Sequence, residues 1–245
     1  MKQILIEDTE FWIRDSNRSD FDLDVIEEVF VGDTYCIDPT KHQSVVINVL
    51  FQQEFPIVID VGAHIGSFMK LVKKHREHAK VICIEPCPES FKILQRNAEN
   101  EDVVLYQAAV RYDKANVFID GFGATGGGYL CNSCDVLPGL GDSGLFVADS
   151  DVRLMSLEDI IQKNKIDQID LLKLDCEGSE WQILEKCSDE TIDKIQCIVG
   201  EFHGEPWRFI KLLAKRFLDY KLGLEGYKTI GKFWLVRKTL LEISK

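Results

Sequence analysis

From Pro56 onward, short apolar runs alternate with stretches in which apolar side chains recur every three or four positions. The runs read as strands covered on both faces, the stretches as amphipathic helices. Strands are predicted over Ile57–Val61, 81–85, Val103–Tyr106, 117–120, Ile169–Leu174 and 195–199. Ile169–Leu174 is apolar except for Asp170 and Lys173. The intervening helices carry inward stripes: Ile65, Phe68, Met69 and Val72, then Phe91, Leu94 and Ala98, then Trp181, Ile183 and Leu184. A later helix, begun by Pro206, turns Trp207, Ile210, Ala214 and Phe217 inward. Pro86 and Pro88 open the second helix, where proline costs no hydrogen bond. Ser156 followed by Asp159 reads as an N-cap with its reciprocal partner. Residues 221–236 read as two last strands joined around Gly231. Strand–helix alternation of this kind builds a parallel sheet with helices on both faces.

Residues 1–55 precede the alternation. They predict short strands near Leu5 and Trp12 and a helix from Asp22 to Phe30. We read them as a cap on the main domain at 56–245. The segment 121–150 is different: it holds eight of the seventeen glycines, and no Lys or Arg occurs between Lys114 and Arg153. It reads as a lid or as a surface excursion. Its lack of positive charge argues against a grip on phosphate or sulfate.

Composition narrows the function. The chain has 245 residues, 45% hydrophobic, enough for one large α/β domain. Its net charge is −12, which disfavours nucleic-acid partners and anionic membranes. No apolar run reaches a membrane-spanning length. Glu7, Asp8 and Glu10 interrupt any signal-peptide core, so a cytoplasmic protein without a membrane span is expected. The eight cysteines follow no disulfide spacing. Cys131 and Cys134 have half a zinc-site spacing without a second pair, so no metal site is expected there.

The candidate chemistry lies at strand ends. Ile59-Asp60-Val61-Gly62-Ala63-His64-Ile65-Gly66 ends a buried strand in an acid, turns on two glycines and begins a helix. Such a turn brings backbone close to a nucleotide-like ligand. It lacks the third glycine of the dinucleotide pattern G-x-G-x-x-G, and its acid suits a cationic or hydroxyl-rich ligand. Glu85 ends the next strand, where an acid commonly accepts hydrogen bonds from ribose hydroxyls. Gln107 and Ala108 follow the third strand, with an amide for an adenine edge and room for a flat ring. Asp175, Glu177 and Glu180 surround Gly178 after the fourth strand, and Glu201 and His203 follow the fifth. Acids so clustered cost free energy unless a ligand uses them. Glu180 also reads as a helix-start charge complementing the macrodipole. His64 reads as shaping the turn, and His42, His75 and His78 as solvated.

These stretches, with Ile84-Glu85-Pro86-x-Pro88, Ala109-Val110, Ser156-Leu157-Glu158-Asp159, Lys173-Leu174-Asp175-x-Glu177-Gly178-x-Glu180 and Glu201-Phe202, resemble the FkbM family of S-adenosylmethionine-dependent methyltransferases. The resemblance implies a Rossmann-like α/β fold of class I methyltransferase type. Its seven-stranded sheet is mostly parallel, with the last strand antiparallel. It also implies O-methylation of a sugar, glycan or natural-product hydroxyl, a small-molecule or glycan acceptor being the partner. Carried over by position, the cofactor lies against Asp60, Gly62, Ala63, His64 and Gly66, with Glu85 and Pro86 at the ribose. Gln107 and Ala108 border the adenine, and Asp175 lies beside the transferred methyl. His64 stands where the family often has asparagine. Nothing in 121–150 matches, so the acceptor does not carry over.

An aliphatic hydroxyl is a poor nucleophile, so a base should assist. Asp175 and His203 are the catalytic candidates, with Glu201 in reserve. The same acids could instead hold Mg²⁺ against two acceptor hydroxyls, a use we do not favour. Two other functions compete: a nicotinamide-dependent oxidoreductase, against which the missing glycine counts, and a non-catalytic S-adenosylmethionine-binding module.

Overall fold

The computed structural model describes residues 1–16, 19–112, 118–119, 130–131, 152–176, 178–203, 206–225 and 230–243. The N-terminal segment contains β1 (Lys2–Ile6), β2 (Thr9–Ile13), α1 (Ser19–Val25) running into a π-helical turn at Ile26–Val31, and α2 (Val45–Gln52). The first nucleotide-type half follows as β3 (Ile57–Val61), α3 (Ser67–His75), β4 (Lys80–Ile84), α4 (Pro88–Asn97) and β5 (Val103–Tyr106). Four two-residue strands come next: β6 (Ala109–Val110), β7 (Phe118–Ile119), β8 (Leu130–Cys131) and β9 (Leu154–Met155). The second half is α5 (Leu157–Asn164), β10 (Ile169–Leu174), α6 (Glu180–Lys186), α7 (Asp189–Lys194) and β11 (Ile195–His203). The chain closes with α8 (Pro206–Arg216), β12 (Tyr220–Glu225), β13 (Ile230–Arg237) and α9 (Lys238–Ile243).

Seven strands form one sheet in the order β12-β13-β11-β10-β3-β4-β5. The pairings from β11 through β5 are parallel, and only β13 runs against its neighbours. This is the Rossmann-like α/β sheet with an antiparallel last strand. Side-chain alternation along each strand feeds two cores. Val58, Val81 and Leu171 pack with the N-terminal segment, α2, α3 and α4; Ile59, Ile82 and Leu172 pack with α5 to α8. Phe11, Ile26 and Phe30 are fully buried in the first core, so the N-terminal segment shares it. Asn97 of α4 fixes β2 by accepting from Trp12 N and donating to Trp12 O, at 2.6 and 2.9 Å.

Several expectations are corrected. The fifth strand continues to His203, so Glu201 and His203 lie within it, paired in register with Lys232 and Ile230. Gly231 is inside β13, opposite Phe202, and the connection between the last strands lies at 226–229, outside the described residues. On α8, Ile210 and Ala214 are exposed and Leu213 is buried, contrary to the predicted stripe. Phe217, just past its end, is buried as predicted, and the Trp207 side chain lies outside the described residues. Arg216 ties the end of α8 to the end of α6 by donating to Leu184 O and Cys187 O, at 2.9 and 2.8 Å. The strand predicted at 117–120 is a two-residue ladder with β8, apart from the main sheet. His75 is half-buried, 3.5 Å from Asp38, rather than solvated. Cys134 lies outside the described residues, as does all of 121–150 except Leu130 and Cys131.

Candidate functional site

The site forms where the carboxyl ends of β3, β4 and β10 meet. β3 and β10 are parallel neighbours, and their register sets Asp60 opposite Lys173. The Lys173 ammonium is 3.1 Å from the Asp60 carboxylate and 3.7 Å from Asp175, and it donates to Gly62 O at 2.7 Å. Burial alone would drive the Lys173 pKa down. Asp60 and Asp175 outweigh it and hold the ammonium above its ordinary range. Asp60 is therefore paired under the glycine turn and does not line the cleft above it.

Gly62 begins the turn at φ +78°, and a Cβ there would stand 1.8 Å from Asp175 O. Only glycine lets the ends of β3 and β10 approach so closely. Gly66 ends the turn as the N-cap of α3, at φ +94°. It faces Leu94 and Met69 rather than the cleft, so it carries helix packing. His64 also has a positive φ, 49°. Its ring lies edge-on to Phe21, and its Nε2 is 3.3 Å from the Arg14 guanidinium. Burial first, then the charges of Arg14 and Lys173, lower its pKa to about 3, so the imidazole is neutral. Arg14 is pinned in turn by a short ion pair with buried Asp22 and by Ser90 Oγ at 2.6 Å.

Glu85 closes the other side. Its carboxylate accepts from His64 N and Cys87 N, both at 2.8 Å, which ties the first turn to the second. Burial raises its pKa to about 7 despite those bonds. Together the turns flank a cleft that opens to solvent. Gly62, Ala63, His64, Glu85, Pro86, Ala108 and Asp175, all predicted site residues, line it. Gln107 is exposed and lies off the wall, because the sheet's next short pairing buries Ala108 and Ala109 instead.

The N-terminal segment supplies what the sequence reading missed. Phe21, Val25 and Val29 form an apolar wall of the cleft. Tyr35, buried, donates its hydroxyl to Asp175 Oδ2 at 2.8 Å. No periodic signal marks these residues as a site, since amphipathic spacing says only that a face is covered. Lys173 was visible as a lysine in the middle of an otherwise mostly apolar strand.

Glu201 and His203 stand on the next strand, β11, and are not on the cleft wall. Burial, then the nearby charges of Asp175 and Glu28, raise the Glu201 pKa to about 7. His203 Nδ1 lies 3.2 Å from Glu180 Oε1. Glu180 is fully buried and accepts from Cys176 N and Gly178 N at 2.8 and 2.9 Å, so it braces the β10–α6 turn. Glu177 lies outside the described residues.

Comparison with known proteins places the chain. It is 32% identical over 173 residues to 31-O-demethyl-FK506 methyltransferase FkbM of Streptomyces tacrolimicus, covering 60% of this chain and 65% of that protein. It is 25% identical over 178 residues to methyltransferase sdnD of Sordaria araneosa, covering 60% and 66%. The matches thus span just under two thirds of either relative's length. A solved methyltransferase FkbM from Methylobacillus flagellatus KT is 17% identical, with 75% of this chain and 44% of that chain covered at a TM-score of 0.44. The model of the methyltransferase FkbM domain matches residues 60–228, from the acid under the glycine turn to the connection between the last strands. The chain belongs to the methyltransferase FkbM domain family.

Proposed function

We propose that this protein transfers a methyl group from S-adenosylmethionine to a hydroxyl of a small-molecule acceptor, a sugar, glycan or natural product. The observation that carries the reading is the cleft itself. It joins a glycine turn, a strand-end carboxylate and an acid beside a buried cation within an FkbM domain. The relative from Streptomyces is named for a hydroxylated natural product, which supports an alcohol acceptor.

The residues present fit the cofactor. Ser67 Oγ and His64 Nδ1 belong to residues of the cleft wall and are buried without a hydrogen-bond partner in the described structure. Buried polar groups of that kind call for a ligand. Ser67, at the start of α3, and the turn Gly62–Ala63 suit an amino-acid carboxylate. Glu85 suits ribose hydroxyls, and Ala108 leaves space for a purine. S-adenosylmethionine, when bound, supplies an electrophilic methyl on a sulfonium.

The chain's own groups then do three things. The turn and Glu85 fix orientation, the main catalytic contribution expected when two reactants must align. Phe21, Val25 and Val29 keep water from the wall they form. Asp175, held by Tyr35 and Lys173, stands at the cleft edge with Glu201 nearby. A carboxyl that titrates near neutrality, as Glu201 does, is suited to take the hydroxyl proton. Asp175 orients the acceptor.

The test is release of S-adenosylhomocysteine from S-adenosylmethionine over a panel of sugars and polyketide alcohols. Turnover with an alcohol that falls at least about 100-fold in Asp175→Asn and Glu201→Gln, with donor affinity retained, supports the reading. Normal turnover in both variants rejects the residue roles, and absence of donor binding rejects the reaction.

A further inference from the structure

Three side chains from three separate elements converge at the carboxyl edge of the sheet. Asp175 follows β10, Glu180 begins α6, and His203 ends β11. Their ligand-type atoms all lie within 4.8 Å of one another. We propose that Asp175, Glu180 and His203 form a binding site for a divalent transition-metal ion.

The argument is geometric and chemical. Two carboxylates and one imidazole are a mixed oxygen–nitrogen set, which suits Mn²⁺ or Zn²⁺ better than the all-oxygen preference of Mg²⁺. Bonds of about 2.1 Å would draw the three atoms to roughly 3 Å apart. Two of the three groups need not move far. Glu180 is fixed by its two backbone N–H bonds, which leave lone pairs on both oxygens. The end of β11 is fixed by Trp181, whose Nε1 donates to His203 O at 2.6 Å. The third, Asp175, is held through Oδ2 by Tyr35 and Lys173, and its other carboxylate oxygen can turn toward an ion. Outer partners of this kind orient metal ligands.

The charge around the site points the same way. With a neutral imidazole and both carboxylates ionised, the set carries two negative charges. The closest ammonium to Asp175, Lys173, is already held by Asp60 at 3.1 Å and by Gly62 O at 2.7 Å. The competing description is a simple Glu180–His203 ion pair, with the histidine protonated and no affinity for metal. The two descriptions differ in a direct measurement.

Because Asp175 also lines the cleft, an ion here would border the cleft through that side chain, where it could bind an acceptor oxygen. That use rests on the methyl-transfer reading; the binding of the ion does not. The experiment is therefore calorimetric titration of the purified full chain with Mn²⁺ and, separately, with Zn²⁺, without donor, with S-adenosylmethionine binding measured in parallel. The site predicts one ion per chain with a Kd on the order of 10–100 µM or tighter. It predicts a loss of about tenfold or more in both His203→Ala and Asp175→Asn. Should a variant misfold, proton NMR of the wild type decides: substoichiometric Mn²⁺ should broaden the His203 ring signals before those of His42 and His78. No binding of either ion at millimolar concentration, equal affinity in both folded variants, or broadening that begins at another histidine would overturn the site. A chain that binds donor but no ion defeats this proposal alone. One that binds the ion but no donor defeats the methyl-transfer reading alone.

Discussion

Glu85 and Gly62 show how single residues set the site. Glu85 holds its proton to about pH 7 because burial outweighs the backbone donors that favour its charge. The unfolded carboxyl ionises near its model value of 4.5. A raised folded pKa means that the stability Glu85 contributes is complete below pH 4.5 and is lost as pH rises through 7. Wild type should therefore lose stability relative to Glu85→Gln across that interval, by at most about 3 kcal/mol. Urea unfolding of both proteins at pH 5 and pH 8 checks the sign, and wild type gaining stability relative to Glu85→Gln from pH 5 to pH 8 would contradict it. Gly62→Ala would force a Cβ into Asp175 O in a left-handed backbone. It should cost more than about 3 kcal/mol, read from denaturant midpoints. At this scale much was legible. The glycine turn and Glu85 are local features, and each announces itself within a few residues. Asp60 was legible as an acid but not as the partner of Lys173, because that pairing is fixed by register between strands far apart in sequence. Tyr35 was invisible for a similar reason: its partner, Asp175, is 140 residues away.

Among the elements, the central strands were the clearest. β3 and β10 are buried on both faces and so read as apolar runs, interrupted by Asp60 in the first and by Asp170 and Lys173 in the second. Helix α5 was legible at its start, where Ser156 Oγ accepts from Asp159 N at 3.1 Å and Asp159 accepts from Ser156 N at 2.9 Å. Ser156→Ala should cost about 1 kcal/mol of stability. It should leave donor binding unchanged, since Ser156 does not line the cleft; parallel denaturation and calorimetry would show whether the two effects separate. Strand β11 was read too short. Its outer half, Gly200 to His203, alternates buried Gly200 and Phe202 with half-buried Glu201 and His203, so it lacks the mostly apolar signal of the inner half. On α8 the reading failed at Ile210 and Ala214, which are exposed, and Arg216, a charged residue, ties the helix end to α6 through contacts that apolar spacing does not signal.

Across the whole molecule, the N-terminal segment is what turns a sheet edge into a cleft. We propose that residues 1–55 act as a cap. Phe11, Ile26 and Phe30 bury themselves in the core beside α3, and Phe21, Val25 and Val29 wall the cleft. The family match begins only at residue 60, so this wall is supplied from outside the matched region. Among the described residues no helix is long and apolar enough to cross a membrane. The net charge of −12 fits a cleft whose expected ligand is cationic. The account as a whole stands on that ligand, and calorimetry of the purified chain against S-adenosylmethionine, NAD⁺ and NADH tests it directly. It predicts one S-adenosylmethionine per chain, micromolar in affinity and weakened about tenfold or more by Glu85→Ala, with no heat from either nicotinamide. Silence toward S-adenosylmethionine, or an affinity that Glu85→Ala leaves unchanged, would contradict it.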